Sequence, residues 1–241
     1  MLKIFNIMKN ENKYPKILVL GDGLLGSEVI KQTGWEHLSH SKNNIDVVND
    51  FDGLTTLINN IDPDIIVNCI GYTNTYCDDK QKHWDINYGF VANLVDFCDS
   101  NIIKLVHIST DYIYANSTNI NREIDIPVHQ ETWYSYSKLL SDGYVQLRLK
   151  DYLLIRCSFK PKPFPYEKAY ENIKGNFDYV DVIAKQIIKL IRENQNGIWN
   201  IGTELKTIFD LAIQTKSDVE EAYSLNLPTI SMSLYKFNNR K

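Results

Sequence analysis

The chain has 241 residues, enough for one large domain or for a domain with a small annex, and 44% hydrophobic residues can fill a sizeable core. A formal net charge of −4 with no basic run argues against a nucleic-acid partner, and no apolar stretch is long enough for a membrane span. The four cysteines (Cys69, Cys77, Cys98, Cys157) show neither metal spacing nor a disulfide framework, so a reducing cytoplasm is the expected location.

In chain order, residues 1–15 read as a leader without the cleavage region of a signal peptide, with Met8 as an alternative start. A short apolar run, Ile17 to Leu20, reads as a buried parallel strand. It runs into Gly21-Asp-Gly23-Leu-Leu-Gly26 and then a helical pattern of Leu24, Leu25, Val29 and Ile30. Strand, glycine turn and helix form the order that a dinucleotide-binding βαβ unit requires. Gly21 permits the turn, Gly23 leaves room for a pyrophosphate, and Gly26 lets the helix approach the strand. Free N–H groups at the start of the helix favour an anion.

Trp35–Ser39 reads as a second strand, 53–61 as a helix, and 64–71 as a strongly apolar strand ending at Gly71. Residues 80–99 carry apolar side chains at helical spacing. Residues 101–110 are the next strand, 133–149 a helix with Leu139, Leu140, Tyr144, Val145 and Leu147 inward, and 151–158 another strand. Such alternation means an α/β fold with a doubly wound parallel sheet. Ligands sit outside the carboxyl ends of its strands, here at Gly21, Ile70-Gly71-Tyr72, Ser109-Thr110-Asp111 and Cys157-Ser158. Residues 1–158 form the dinucleotide-binding domain, to which a helix at 180–194 returns. The proline-rich 159–178 reads as an irregular excursion and, with 197–241, as a small substrate-binding annex within 159–241.

Tyr134 and Lys138 are four residues apart, which on a helix puts them on one face. Their chemistry suits hydride transfer to a ketone. The developing alkoxide needs a proton, a phenol can donate it, and a nearby ammonium lowers the phenol's pKa. The Thr110 hydroxyl can hold the substrate oxygen. An exposed Tyr/Lys pair is the competing explanation in a chain with 15 tyrosines. His37 and His40 lack a nearby third ligand, so no metal is expected.

GDGLLG, PDIIVNCIGYTNT, HISTDYIY, YSYSKLLSD and LIRCSF, in that order over roughly residues 16–202, resemble the RmlD-like group of extended short-chain dehydrogenase/reductases, whose namesakes reduce dTDP-4-dehydrorhamnose. The resemblance implies a Rossmann-type fold and NAD(P)H-dependent reduction of a nucleotide-linked 4-keto-6-deoxy sugar in deoxysugar biosynthesis. It casts Tyr134 as acid, Lys138 as its partner and cofactor anchor, and Thr110 in the Ser/Thr role. It also sets Ser109, Ile70, Gly71 and Tyr72 beside the cofactor, Asp50 and Phe51 at the adenine, and Asn87 on the long helix. Departures are Ser135 for a Gly, Ser141-Asp142 for Gly-Glu, Thr75-Tyr76 for Val-Asp, and a short segment after Arg156. A dinucleotide-binding regulatory or structural subunit without turnover is the alternative from another class. A nucleotide-sugar epimerase or dehydratase is the third.

Two expectations concern ligands. Lys160 and Lys162, on the loop after the last rim strand, are placed near the substrate's diphosphate, with Asp111 also at the substrate. About 20 residues into the glycine motif, where NAD sites carry an acid, this chain has Ser39, Ser41 and Lys42, which favours NADPH over NADH. A second copy of the chain, as a homodimer, is the expected protein partner.

Overall fold

The computed structural model describes residues 14–125 and 131–239, so most of the proposed leader lies outside the described residues. Ile17–Leu20 (β1), Glu36–Leu38 (β2), Ile65–Asn68 (β3), Lys104–Ile108 (β4), Tyr152–Arg156 (β5) and Gly197–Asn200 (β6) form one parallel sheet. Its order is β6-β5-β4-β3-β1-β2. The order reverses between β1 and β3, and that is where a doubly wound sheet opens a crevice.

Both faces of this sheet are covered, which explains the uninterrupted apolar strands. Ile17 and Val19 face one core with Leu25 and Val29 of helix α1 (Leu24–Thr33). Leu18 and Leu20 face the other core, against α2 (Phe51–Ile61) and α3 (Phe90–Asn101). Helix α4 (Trp133–Arg148) joins that second face, and α5 (Val180–Arg192) packs beside α1 on the first. Among the described residues no helix is long and apolar enough to cross a membrane.

Three expectations change. Gly197–Asn200, assigned to the annex, is the edge strand of the main sheet, because its parallel pairing with β5 begins at Gly197 opposite Leu153. The chain end returns as well, with Phe237 in the first core. The long helix over 80–99 is broken: a π-helical turn, His83–Gly89, precedes α3 and turns His83 and Asn87 inward. Helix α4 buries Ser135, Ser137, Lys138, Ser141 and Asp142, whereas Leu147 is exposed and Leu139 packs against a separate small cluster of Ile113, Tyr114, Ile230 and Met232. Small serines let α4 approach the sheet where two long ionic side chains must be accommodated.

The annex is less irregular than its prolines imply. Phe159–Lys160 pairs with Asp178–Tyr179, Lys168–Tyr170 with Glu220–Ala222, and Lys174–Gly175 with Lys206–Thr207. Phe164, Ala169, Phe177, Tyr179 and Leu211 form its own small core.

The glycine turn is fixed sterically. Gly21 has φ +91°, a backbone conformation disfavoured for side-chain-bearing residues, and its N–H donates to the Leu38 carbonyl at 2.9 Å. A Cβ on Gly26 would overlap the Gly21 carbonyl oxygen, while a Cβ on Gly23 would meet no atom within 4 Å. Gly26→Ala should therefore lower the melting temperature by roughly 5 °C or more, and Gly23→Ala by no more than about 3 °C. Thermal melts of the two variants check this, and equal losses would contradict it.

Candidate active site

The strand ends of β1, β3, β4 and β5 set the rim. Beside the glycine turn lies a cavity of about 230 Å³, lined by Gly21, Gly23, Leu38, Ser39, Ile70 and Gly71 among others. Of the residues expected at the cofactor, Gly21, Gly23, Ser39, Ile70 and Gly71 line this cavity. The exposed Leu24 and the buried Leu25 open α1, whose N-cap Gly23 has no side chain to occupy the first N–H groups. Open space over Gly23, uncapped N–H groups and an apolar wall at Leu38, Ile45 and Leu54 suit a dinucleotide's adenosine and pyrophosphate.

Asp50 and Phe51 do not line this cavity. Asp50 caps α2, its carboxylate accepting from the Gly53 N–H at 2.9 Å, and Phe51 packs edge-on against Phe90. Val47 and Leu54 stand at the wall instead. Asn87, wholly buried, acts on the main chain: its Oδ1 accepts from the Tyr72 N–H at 2.8 Å and its Nδ2 donates to the Tyr72 carbonyl at 3.0 Å. It thus positions the strand end that lies along the rim.

The second cluster gathers at the end of β4. Thr110 Oγ1 lies 3.3 Å from an Asp111 carboxylate oxygen and accepts from the Tyr112 N–H at 3.2 Å, and its hydroxyl is near enough to the Tyr134 phenol to favour the phenolate. The Tyr134 ring is packed edge-on between His83 and Tyr112 at centroid distances of 6.2 Å. Burial pushes its phenol above the ordinary range, partly opposed by the nearby Thr110 hydroxyl. The sequence led us to expect an ammonium that lowers this pKa. Lys138 does sit on the same helix face, but Nζ donates to the Ile108 carbonyl at 2.7 Å and lies 3.3 Å from His107 Nε2. The phenol is therefore kept protonated, the form a proton donor needs.

Sequence reasoning missed His107 and Asn68. His107 is buried and held neutral, by burial first and by Lys138 second, and its Nδ1 lies 3.3 Å from Asn68 Nδ2. Asn68 Oδ1 accepts from the Ile70 N–H at 3.1 Å. A polar residue inside an otherwise apolar strand was the available signal. Ser109 is buried, and among the described residues its hydroxyl has no hydrogen-bond partner; the neighbouring Asp142 carboxylate pairs with Arg156 Nε at 3.1 Å.

Of the two loop lysines, Lys160 holds its ammonium over the Phe177 ring, 5.9 Å from the centroid, and burial lowers its pKa while the Asp111 carboxyl opposes that shift. The Asp111 carboxyl is pushed up to about 7, chiefly by burial. Lys162 is a correction: its ammonium pairs with Asp181 at 2.7 Å on α5 and is not directed at the rim. Among the described residues no group of three or more His, Cys, Asp or Glu is gathered as metal ligands, and His40 Nδ1 bonds the Ile45 carbonyl.

The family model described as RmlD substrate binding domain matches residues 15–163. The chain is similar to the spore coat polysaccharide biosynthesis protein SpsK of Bacillus subtilis, 33% identical over 153 residues, which cover 60% of this chain and 53% of that protein. It thus spans about half the length of this curated relative. Among solved structures it is similar to a dTDP-4-dehydrorhamnose reductase from Bacillus anthracis in complex with NADP: TM-score 0.78, 18% identity, 96% of this chain and 94% of that one. The Bordetella bronchiseptica enzyme WbmG, in complex with NAD and UDP, gives a TM-score of 0.73 at 16% identity, covering 94% and 88%.

The buried ammonium makes one prediction. Burial brings Lys138 down from 10.5 to about 8. Between those values the unfolded chain holds the proton and the fold does not, so stability rises with pH across that window. Relative to a Lys138→Met variant, the wild type should gain up to about 3 kcal/mol from pH 7 to pH 10.5. Denaturant unfolding of both proteins at a series of pH values measures it, and a difference independent of pH would contradict it.

Proposed function

This chain belongs to the RmlD substrate-binding-domain family, and from that premise we propose that it reduces a nucleotide-linked 4-keto-6-deoxy sugar with a nicotinamide dinucleotide. One observation carries the reading. Thr110, at the end of β4, and Tyr134, in the first turn of α4, are neighbours on the same rim as the glycine turn, with Lys138 one helical turn behind Tyr134.

When bound, the dinucleotide supplies the hydride. Gly21, Gly23 and the first N–H groups of α1 would hold its pyrophosphate, with the segment after β3, Ile70 to Tyr72, beside it. Thr110 holds the carbonyl oxygen of the substrate by a hydrogen bond. Tyr134 gives its proton to that oxygen as it becomes an alkoxide. The Lys138 ammonium, firmly seated on the Ile108 carbonyl, supplies positive potential behind the phenol and a donor for the nicotinamide ribose. Tyr76 and Tyr112, with hydroxyls 3.2 Å apart, form an aromatic wall over the substrate side, and Lys160 meets the diphosphate.

Asp111 keeps the dehydratase reading in view, because a carboxyl pushed up to about 7 can be protonated beside Thr110. A reductase consumes reduced dinucleotide, whereas a dehydratase or epimerase recycles it, so cofactor stoichiometry separates them. Tyr134→Phe should leave dinucleotide affinity unchanged and lower turnover by roughly 10²–10⁴. Steady-state kinetics with calorimetric binding tests this, and full turnover in the variant would remove Tyr134 as the acid.

A further inference from the structure

Asp22 lies between the two glycines that open the turn, and its carboxylate has no part in the reduction as proposed. It lines the adenosine cavity together with Ser39 and His40, and the Ser41 hydroxyl, just behind that lining, donates to it. Ser41 Oγ lies 3.2 Å from Ser39 Oγ, and Ser39, only 1% exposed, already accepts from the Lys42 N–H at 3.2 Å. The Lys42 ammonium is turned to the His37 carbonyl at 3.2 Å. The Ser41 hydrogen bond, with smaller help from Ser39 and His37, holds the Asp22 carboxyl below its ordinary range, so it is an anion at neutral pH.

The segment after β2 is where a Rossmann site meets the 2′ position of the adenosine ribose. In this chain the anion at that place comes from the glycine turn and not from the end of β2. We propose that Asp22 sets cofactor choice: its carboxylate accepts a hydrogen bond from the 2′-hydroxyl of NADH and repels the 2′-phosphate of NADPH. A carboxylate offers several acceptor positions, and Ser41 fills one of them. No arginine is among the residues lining the cavity, so the bidentate partner that a 2′-phosphate favours is missing from it. Ser39, Ser41 and Lys42 alone read as a phosphate site, but in the fold the two hydroxyls are engaged with Asp22 and with each other. This preference is the reverse of the one drawn from the sequence, where counting onward from Gly21 passed over position 22.

The inference rests on the dinucleotide reading of the rim, and its test separates the two. Dissociation constants of NADH and NADPH are measured by calorimetry for the wild type, Asp22→Asn and Lys42→Ala. The wild type should bind NADH tighter by on the order of tenfold. Asp22→Asn, which keeps the shape and an acceptor for Ser41, should erase or invert that ratio, chiefly by a gain in NADPH affinity. Equal or tighter NADPH binding by the wild type would overturn the proposal and leave the dinucleotide reading intact. So would an unchanged ratio in Asp22→Asn, or a larger shift in Lys42→Ala than in Asp22→Asn. Failure of the wild type to bind either dinucleotide would overturn the underlying reading, and this inference with it.

Discussion

The buried carboxylate of Asp142 constrains this structure more than any apolar contact. It is fully buried on α4, and an uncompensated carboxylate there would cost several kcal/mol. Arg156, itself 4% exposed, answers it from the end of β5, and its Nη1 donates to the Tyr114 hydroxyl at 2.6 Å and the Glu123 carbonyl at 3.1 Å. Tyr114 in turn donates to Asn200 Oδ1 at 3.2 Å. One charge pair thus ties α4 to β5, to β6 and to the turn after β4. Helix α4 cannot slide or rotate without separating it, and the positions of Tyr134 and Lys138 on that helix follow.

The same helix carries the opposite problem one turn earlier. Lys138 is buried beside a neutral His107 and has no carboxylate in contact, only the Ile108 carbonyl and the more distant field of Asp142. Such a group destabilises the fold at neutral pH, which is the expected trade where a site needs a charge ready for a ligand. At the other end of the rim, close packing does the corresponding work. Gly26 presses α1 onto the Gly21 carbonyl, and the helix N-terminus is thereby brought to the place where a pyrophosphate would lie. Asn87, delivered by the π-helical turn, secures the strand end between the two clusters.

Local patterns were legible in the sequence, and distant pairings were not. The run from Ile17 to Gly26 announced strand, turn and helix because each step has its own residue requirement. The existence of α4 was readable from its period, but its inward face was misjudged. The hydrophobic rule selected Leu147, while burial of Lys138 and Asp142 called for serines beside them. Asp22 with Ser41, Asn68 with His107, and Arg156 with Tyr114 are partners 19 to 42 residues apart, and no local pattern links them. Strands of two or three residues, as in the annex, are too short to show a period, so only the prolines were visible there. Asp50 matched a position in the family's pattern, yet a free helix end beside it claimed the carboxylate.

The central claim is that this rim transfers hydride to a keto sugar. It is tested most directly by mixing the wild-type chain with reduced dinucleotide and nucleotide-linked 4-keto-6-deoxy sugars, then following nicotinamide absorbance and product NMR together. The account predicts one dinucleotide oxidised for each new secondary alcohol at the former carbonyl carbon. Tight dinucleotide binding with no oxidation by any of these sugars would contradict it and leave a binding subunit in its place.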